Sequence, residues 1–209
     1  METDTIKNIT ETELPQDANL VSMSRLVSQH ARFTRQWAMP NKHTFLIEPI
    51  RDLIHRYVGN GLGWIDAFAG ENSPAETTND LNPNKPTHYH LDALEFLRSL
   101  PDESANGVIY DPPYSMTQAK ECYDKYGSDK FEPTSMRYWG DCKNEIRRIL
   151  RLHGKVICCG WNSNGVGKGR MFRLDELLIV PHGGSKNDTM VTVETKIAHQ
   201  QTLFSGVTG

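Results

Sequence analysis

Short apolar runs alternate along this chain with stretches whose apolar residues recur at helical spacing, and that alternation limits the fold more than any single motif. Trp64 to Phe68, Gly107 to Tyr110 and Lys155 to Cys159 read as buried strands. Between and before them, Ile50, Leu53, Ile54, Tyr57 and Val58 fall on one face of a helix, with Pro49 in its first turn and Gly59–Asn60–Gly61 as its stop. Leu91 to Leu100 carries a shorter stripe of Leu91, Leu94 and Leu97. Tyr138 to Leu152 carries a fuller one, Trp139, Cys142, Ile146, Ile149 and Leu150, closed by Gly154. Glu76 to Asp80 is a polar, threonine-rich strand candidate. Leu177 to Val180 and Met190 to Glu194, joined by HGGSKND, read as a hairpin. The pattern predicts an α/β fold: a mainly parallel sheet, helices on both faces, and one antiparallel strand from the hairpin. Residues 115–135 are expected to be mostly loop with a helical turn. Residues 1–22 are polar and acidic and read as a mobile lead-in to a single domain over 23–200, with 201–209 as a tail.

The 209 residues suffice for one domain with a full core, being 37% hydrophobic and 23% charged. A net charge of −3 is no footprint of a polybasic nucleic-acid binder, so any such contact must come from a local patch. No apolar run approaches a membrane span, and the N-terminus has no signal-peptide core. The four cysteines include the adjacent pair Cys158–Cys159 and form no CxxC, which argues against a disulfide framework or zinc site and for a reducing cytoplasm. His88 and His90 lack a third ligand nearby, so no metal is expected and both read as solvated loop residues.

In sheets of this kind ligands bind beyond the carboxyl ends of the strands. That rule puts Asp66, Asp80, Asp92 and Asp111 along one edge. DAFAG, residues 66–70, is either an ordinary turn or a loop whose Gly70 lets a ligand approach the backbone. GNGLG precedes its strand, so it cannot cradle a phosphate as a dinucleotide loop does, and reads as a helix stop. GVGKGR, residues 165–170, follows a strand but lacks the spacing of an ATP loop and reads as a basic lip near the site. VIYDPPYS, residues 108–115, is more specific. Asp111 at a strand end can accept a hydrogen bond from an amino group. The carbonyl between Pro112 and Pro113 can accept a second with no competing N–H beside it. The Tyr114 ring can stack on a flat ligand. Together they suit a planar heterocycle bearing an exocyclic amine, held so that its nitrogen faces an electrophile.

These residues resemble the class I S-adenosylmethionine-dependent amino-methyltransferases of DNA, specifically the adenine-N6 enzymes marked by DPPY. WAMPNKHTFLIEPIRDLI, WIDAFAGENSPA, TNDLNP, YHLDALEFL, VIYDPPYS and GKVICCGWNSNGVGKGR, over roughly residues 33 to 196, are similar to the small enzymes of phages and prophages. The resemblance implies a Rossmann-like, doubly wound seven-stranded sheet, S-adenosylmethionine as cofactor, DNA as partner and a cytoplasmic setting in a bacterial or phage-infected cell. It implies that Ala38, Met39, Pro40 and Phe45 lie along the cofactor. Asp66, Phe68, Ala69 and Gly70 would hold its amino-acid end, Asp80 its ribose, and Asp92 and Ala93 its adenine. Asp111, Pro112, Pro113 and Tyr114 would receive a target adenine flipped out of its stack. FAGEN lacks a second glycine close behind the first, a departure from the family loop. Related enzymes often carry a separate recognition domain of about a hundred residues, and no such stretch follows Gly154. Recognition is therefore expected from Ser115, Lys120, Lys125, Lys130, Asn162, Lys168 and Arg170, with a short recognition sequence or help from a homodimer. Arg147, Arg148 and Arg151 are either a further basic strip or a solvated helix face. RNA or cytosine-N4 methylation, and a non-catalytic protein keeping the fold, are the competing implications.

Overall fold

The order of strands across the sheet sets the position of everything else. In the computed structural model, residues 31–126, 136–184 and 186–198 are described, all within one folding unit that begins at Ala31. The expected lead-in over 1–22, the tail over 201–209 and Lys130 lie outside the described residues. Seven strands, β1 (Arg32–Arg35), β2 (Trp64–Asp66), β3 (Thr77–Thr78), β4 (Ala105–Tyr110), β5 (Leu150–Gly160), β6 (Phe172–Val180) and β7 (Thr189–Lys196), form one sheet in the order β1-β6-β7-β5-β4-β2-β3. Every pairing is parallel except the two made by β7. The expected hairpin therefore exists, and β7 is the antiparallel strand.

Side chains alternate across the pleat, so the two faces of the central strands feed two cores. Ile109, Ile157 and Cys159 face helix α1 (Glu48–Val58), whose Ile50, Leu53, Ile54 and Val58 are buried against them. Val108, Tyr110, Val156 and Cys158 face helices α2 (Ala93–Ser99) and α4 (Met136–Ile149) through Phe96, Leu97, Cys142, Ile146 and Ile149. Helices thus cover both faces, as the alternation predicts. Pro49 sits in the first turn of α1, and Gly59 ends it with φ +61°.

Four expectations need correction. Residues 116–126 form a full helix, α3 (Met116–Tyr126), where mostly loop was expected; its buried stripe is only Ala119 and Tyr123, too thin to read from the sequence. Helix α4 stops at Ile149, three residues early, because Leu150 already pairs with Ala105. Gly154 is therefore inside β5, in a register break between the Ala105–Leu150 and Gly107–Lys155 pairs, and closes no helix. The Glu76–Asp80 candidate shrinks to Thr77–Thr78, with a single bridge from Asn79 to Tyr89 beyond it. Strand β1 was not foreseen: Arg-Phe-Thr-Arg is short and largely exposed, and among the described residues it pairs only with β6, in parallel.

Close packing between β2 and β4 depends on one small residue. Gly107 pairs with Trp64, and a Cβ on Gly107 would stand 2.4 Å from the Trp64 ring. Gly107→Ala is expected to lower the unfolding free energy by about 1–3 kcal/mol through overpacking, read as a lower urea midpoint at unchanged slope.

Candidate active site

Because β2, β4 and β5 run parallel, their last residues meet at one edge. Asp66 ends β2 and is completely buried. Its two oxygens accept from the Phe68 N–H at 2.9 Å and from the Ser73 hydroxyl at 2.6 Å, which folds the 66–73 loop back over the strand end. Asp80 fastens the same loop: it accepts from the Gly70 N–H at 3.0 Å and from the Asn82 N–H at 2.8 Å. Buried Asn79 completes the frame, donating to the Ala67 and Leu91 carbonyls and accepting from the Leu91 N–H. Ser73 and Asn79 were not singled out from the sequence; a polar residue after a strand carries no signal of which loop it will tie.

Asp111 follows β4 and is half-buried. The Tyr114 hydroxyl donates to it, and Thr44 Oγ1 lies 3.5 Å from that hydroxyl. The ring of Tyr114 meets Trp161, which follows β5, edge-on at 5.8 Å. Burial pushes the Asp66 carboxyl up to about 7, against the pull of Ser73 and Phe68, and the charges of Asp111 and Asp80 add to the rise. Burial likewise pushes Asp111 up to about 6, opposed by hydrogen bonds from Tyr114 and Thr44. Tyr114 is held well above the usual phenol range, first by burial and then by the charge of Asp111, so it stays a donor. Among the described residues, the edge therefore holds buried acid without a matching cation in contact.

Beside these acids lies a cavity of about 250 Å³ lined by Lys42, His43, Thr44, Phe45, Phe68, Ala69, Gly70, Glu71, Asn72, Lys85 and Asp111. It brings together five of the residues singled out from the sequence: Phe45, Phe68, Ala69, Gly70 and Asp111. Lys42, His43, Thr44, Glu71, Asn72 and Lys85 are additions, and Lys85 pairs with Glu71 at 2.7 Å. Ala38, Met39 and Pro40 do not line it. Ala38 is bonded through its N–H to Pro181 and through its carbonyl to His182, while Met39 and Pro40 are exposed.

Asp92 is engaged with groups of the protein itself. One oxygen caps α2, accepting from the Leu94 and Glu95 N–H groups. The other accepts from Tyr123 at 2.6 Å and Tyr138 at 2.8 Å, tying α3 and α4 to the start of α2. Neither Asp92 nor Ala93 lines the cavity, and Ala93 is buried in the core. The basic residues divide similarly. Lys120 faces Asp124, and Lys125 lies over the Tyr126 ring. Lys168 and Arg170 precede β6, at the amino end of the sheet and away from Asp111; Arg170 donates to Asn144, Val166 and Gly140. The 165–167 backbone is pinned there by buried Glu194, so GVGKGR is no lip of this cavity. Arg148 and Arg151 brace carbonyls and side chains at the same amino end. Ser115 caps the turn into α3, and Asn162 caps its own loop. His88, read as merely solvated, tethers Thr78.

The raised Asp66 has a measurable sign. Its folded state prefers the proton that an unfolded chain releases near 3.8, so its contribution to stability is full below pH 4 and declines until about pH 7. Asp66→Asn, which keeps an acceptor for Phe68, removes that decline. The stability of the Asn variant relative to wild type is expected to rise by roughly 3–4 kcal/mol between pH 4 and pH 8 in urea titrations.

No protein-family model matches the chain, and no curated protein sequence is detectably similar to it. Solved structures do resemble it. A Burkholderia thailandensis 1,6-didemethyltoxoflavin-N1-methyltransferase, solved with 1,6-didemethyltoxoflavin and S-adenosylhomocysteine, is 13% identical, with 91% of this chain and 94% of that one covered and a TM-score of 0.52. TrmN from Thermus thermophilus is 14% identical, with 75% of this chain covered and a TM-score of 0.50; the chain spans half of TrmN's length. The strand order, the antiparallel β7 and these likenesses identify the fold as the Rossmann-like fold of class I methyltransferases.

Proposed function

We propose that this protein transfers a methyl group from S-adenosylmethionine to the N6 amine of adenine in nucleic acid, with DNA as the expected polymer. The observation that carries the reading is one shared space: Asp111, which follows β4, lines the same cavity as the Phe68–Gly70 loop after β2. The residues present suit the cofactor. Gly70 has φ +57° and open space where a Cβ would project, so the loop leaves room for a ligand at its tightest point. The charges of Asp111 and Asp80 both add to the rise of Asp66, so this edge welcomes a cation, and the cofactor brings both an ammonium and a sulfonium. Lys42, His43 and Lys85 offer donors for its carboxylate, and Asp80 keeps lone pairs for ribose hydroxyls beyond the two N–H groups it already holds.

When bound, S-adenosylmethionine supplies the electrophilic methyl carbon. The chain does the rest by placement. Asp111 accepts from one proton of the target amine and the carbonyl of Pro112 from the other, which localises the nitrogen lone pair. Tyr114 lends its ring to the base and, by its hydroxyl, fixes the Asp111 carboxylate in the meantime. Asp111 stabilises the charge that develops on the nitrogen, whose proton then passes to solvent. A free heterocycle is the second reading, favoured by the likeness over 94% of the toxoflavin-type N-methyltransferase.

Transfer of labelled methyl to adenine-containing oligonucleotides tests the proposal. Asp111→Ala is expected to lower kcat on the order of 10²–10³-fold, with melting temperature little changed. Wild-type kcat/KM should climb as pH rises through about 6, as Asp111 gives up its proton. Label appearing only on free purines, or an Asp111→Ala variant as fast as wild type, contradicts the proposal.

A further inference from the structure

The carboxyl edge has a second half, beyond β4, that the cofactor cavity does not use. In sheet order it is formed by the end of β5, the start of antiparallel β7, and the ends of β6 and β1. Trp161 stands immediately after β5, 38% exposed, with its ring against that of Tyr114. At the far side Trp37 follows β1, 62% exposed, and Met39 two residues on is 68% exposed. This stretch is firmly held: the Gln36 and Ala38 N–H groups continue the bonding to Ile179 and Pro181, and buried His182 bridges the Ala38 carbonyl to Thr189. Beside Trp37 lies Gly183, where a Cβ would come within 3.5 Å of the indole nitrogen. Three interstrand steps separate β1 from β5, roughly 14 Å at about 4.8 Å each.

We infer that this half of the edge is a stacking track for unpaired bases, so that the strand threaded past Tyr114 is single-stranded nucleic acid and not intact duplex; the inference rests on the reading of Asp111–Tyr114 as the target-base site. Exposed tryptophans on a rigid backbone accept any base face, and exposed Arg35 and Lys186 supply positive charge for the phosphates between them. A duplex clamp has a different signature. It needs cations lined up on phosphates, whereas Lys168 and Arg170 sit at the other end of the sheet and the charge of Lys120 is matched by Asp124. Stacking is therefore the larger source of binding on this face, and continuity with Tyr114 fixes its direction.

Fluorescence anisotropy of the full chain with S-adenosylhomocysteine, against a labelled adenine-containing 20-mer, tests this. The single strand is expected to bind at least ten-fold more tightly than the same sequence in duplex. Trp161→Ala and Trp37→Ala should each weaken that binding about ten-fold, Trp161→Phe and Trp37→Phe should restore most of it, and S-adenosylhomocysteine affinity and melting temperature should stay at wild-type values. Preference for either the deoxy or the ribo strand supports the track and names the sugar. Equal or tighter binding of duplex, or alanine variants that bind the single strand like wild type, overturns it. Methyl transfer separates the two proposals: a bound single strand that accepts no methyl refutes the catalytic reading alone, and Asp111-dependent transfer to duplex without single-strand binding refutes the track alone.

Discussion

Burying carboxyl groups without a cation is the constraint around which the carboxyl edge is organised. Asp66 has no exposed surface, and its partners are an N–H and a hydroxyl. Two neutral donors moderate the desolvation of an anion but do not cancel it. The rest of the edge shows the consequence. Asp80 and Asn79 tie the loop down so that Asp66 cannot swing to solvent, and Asp111, a few residues away in space, is pushed in the same direction. A fold that keeps two such acids above their ordinary range has stored a preference for positive charge at that edge. On the proposed reading, the arriving cofactor supplies it.

Strand β1 gives that preference an address. By pairing with β6 it carries the chain out at the carboxyl edge beside Pro181, from where residues 37–45 cross toward β4 and deliver Thr44 to Tyr114 and Phe45 to the cavity. Three sequence-distant segments, 42–45, 68–72 and Asp111, thus close on one space. The sheet order makes this possible without a long excursion, because β4 lies between the two flanks that the other segments occupy.

Much of this was legible from residues alone, and the failures have identifiable causes. Apolar runs at Gly107–Tyr110 and Lys155–Cys159 announced central strands because both faces are buried, and the acids after β2 and β4 fell where parallel strands must end. Strand β1 and helix α3 were hidden because each shows solvent on most sides, so periodicity has little to register. The partners of Asp92 were hidden since its spacing says only that it precedes a helix; that two phenols from other elements would take its second oxygen depends on tertiary packing. Arg170 misled for a related reason. A basic glycine-rich loop after a strand suggests the carboxyl edge, yet this loop descends the sheet to reach the start of β6, and Glu194, 28 positions beyond Val166 and 27 beyond Gly167, fixes it there.

Tyr114 stands at the boundary between the acidic and the aromatic halves of the edge, and its two contacts belong to opposite halves. Its hydroxyl donates to Asp111, while its ring meets Trp161. On the proposed reading, a planar amine entering this site competes with the phenol for one Asp111 oxygen and gains the ring as a stacking partner in the same movement. The exchange is nearly balanced in hydrogen bonds, since one donor replaces another at the same carboxylate. What tips it is the stacking, which the phenol alone cannot supply. On the proposed reading, selection of a flat, amine-bearing ring over a saturated amine of equal donor strength follows from that imbalance, with the carboxylate setting where the nitrogen sits and the aromatic neighbours deciding which molecules stay.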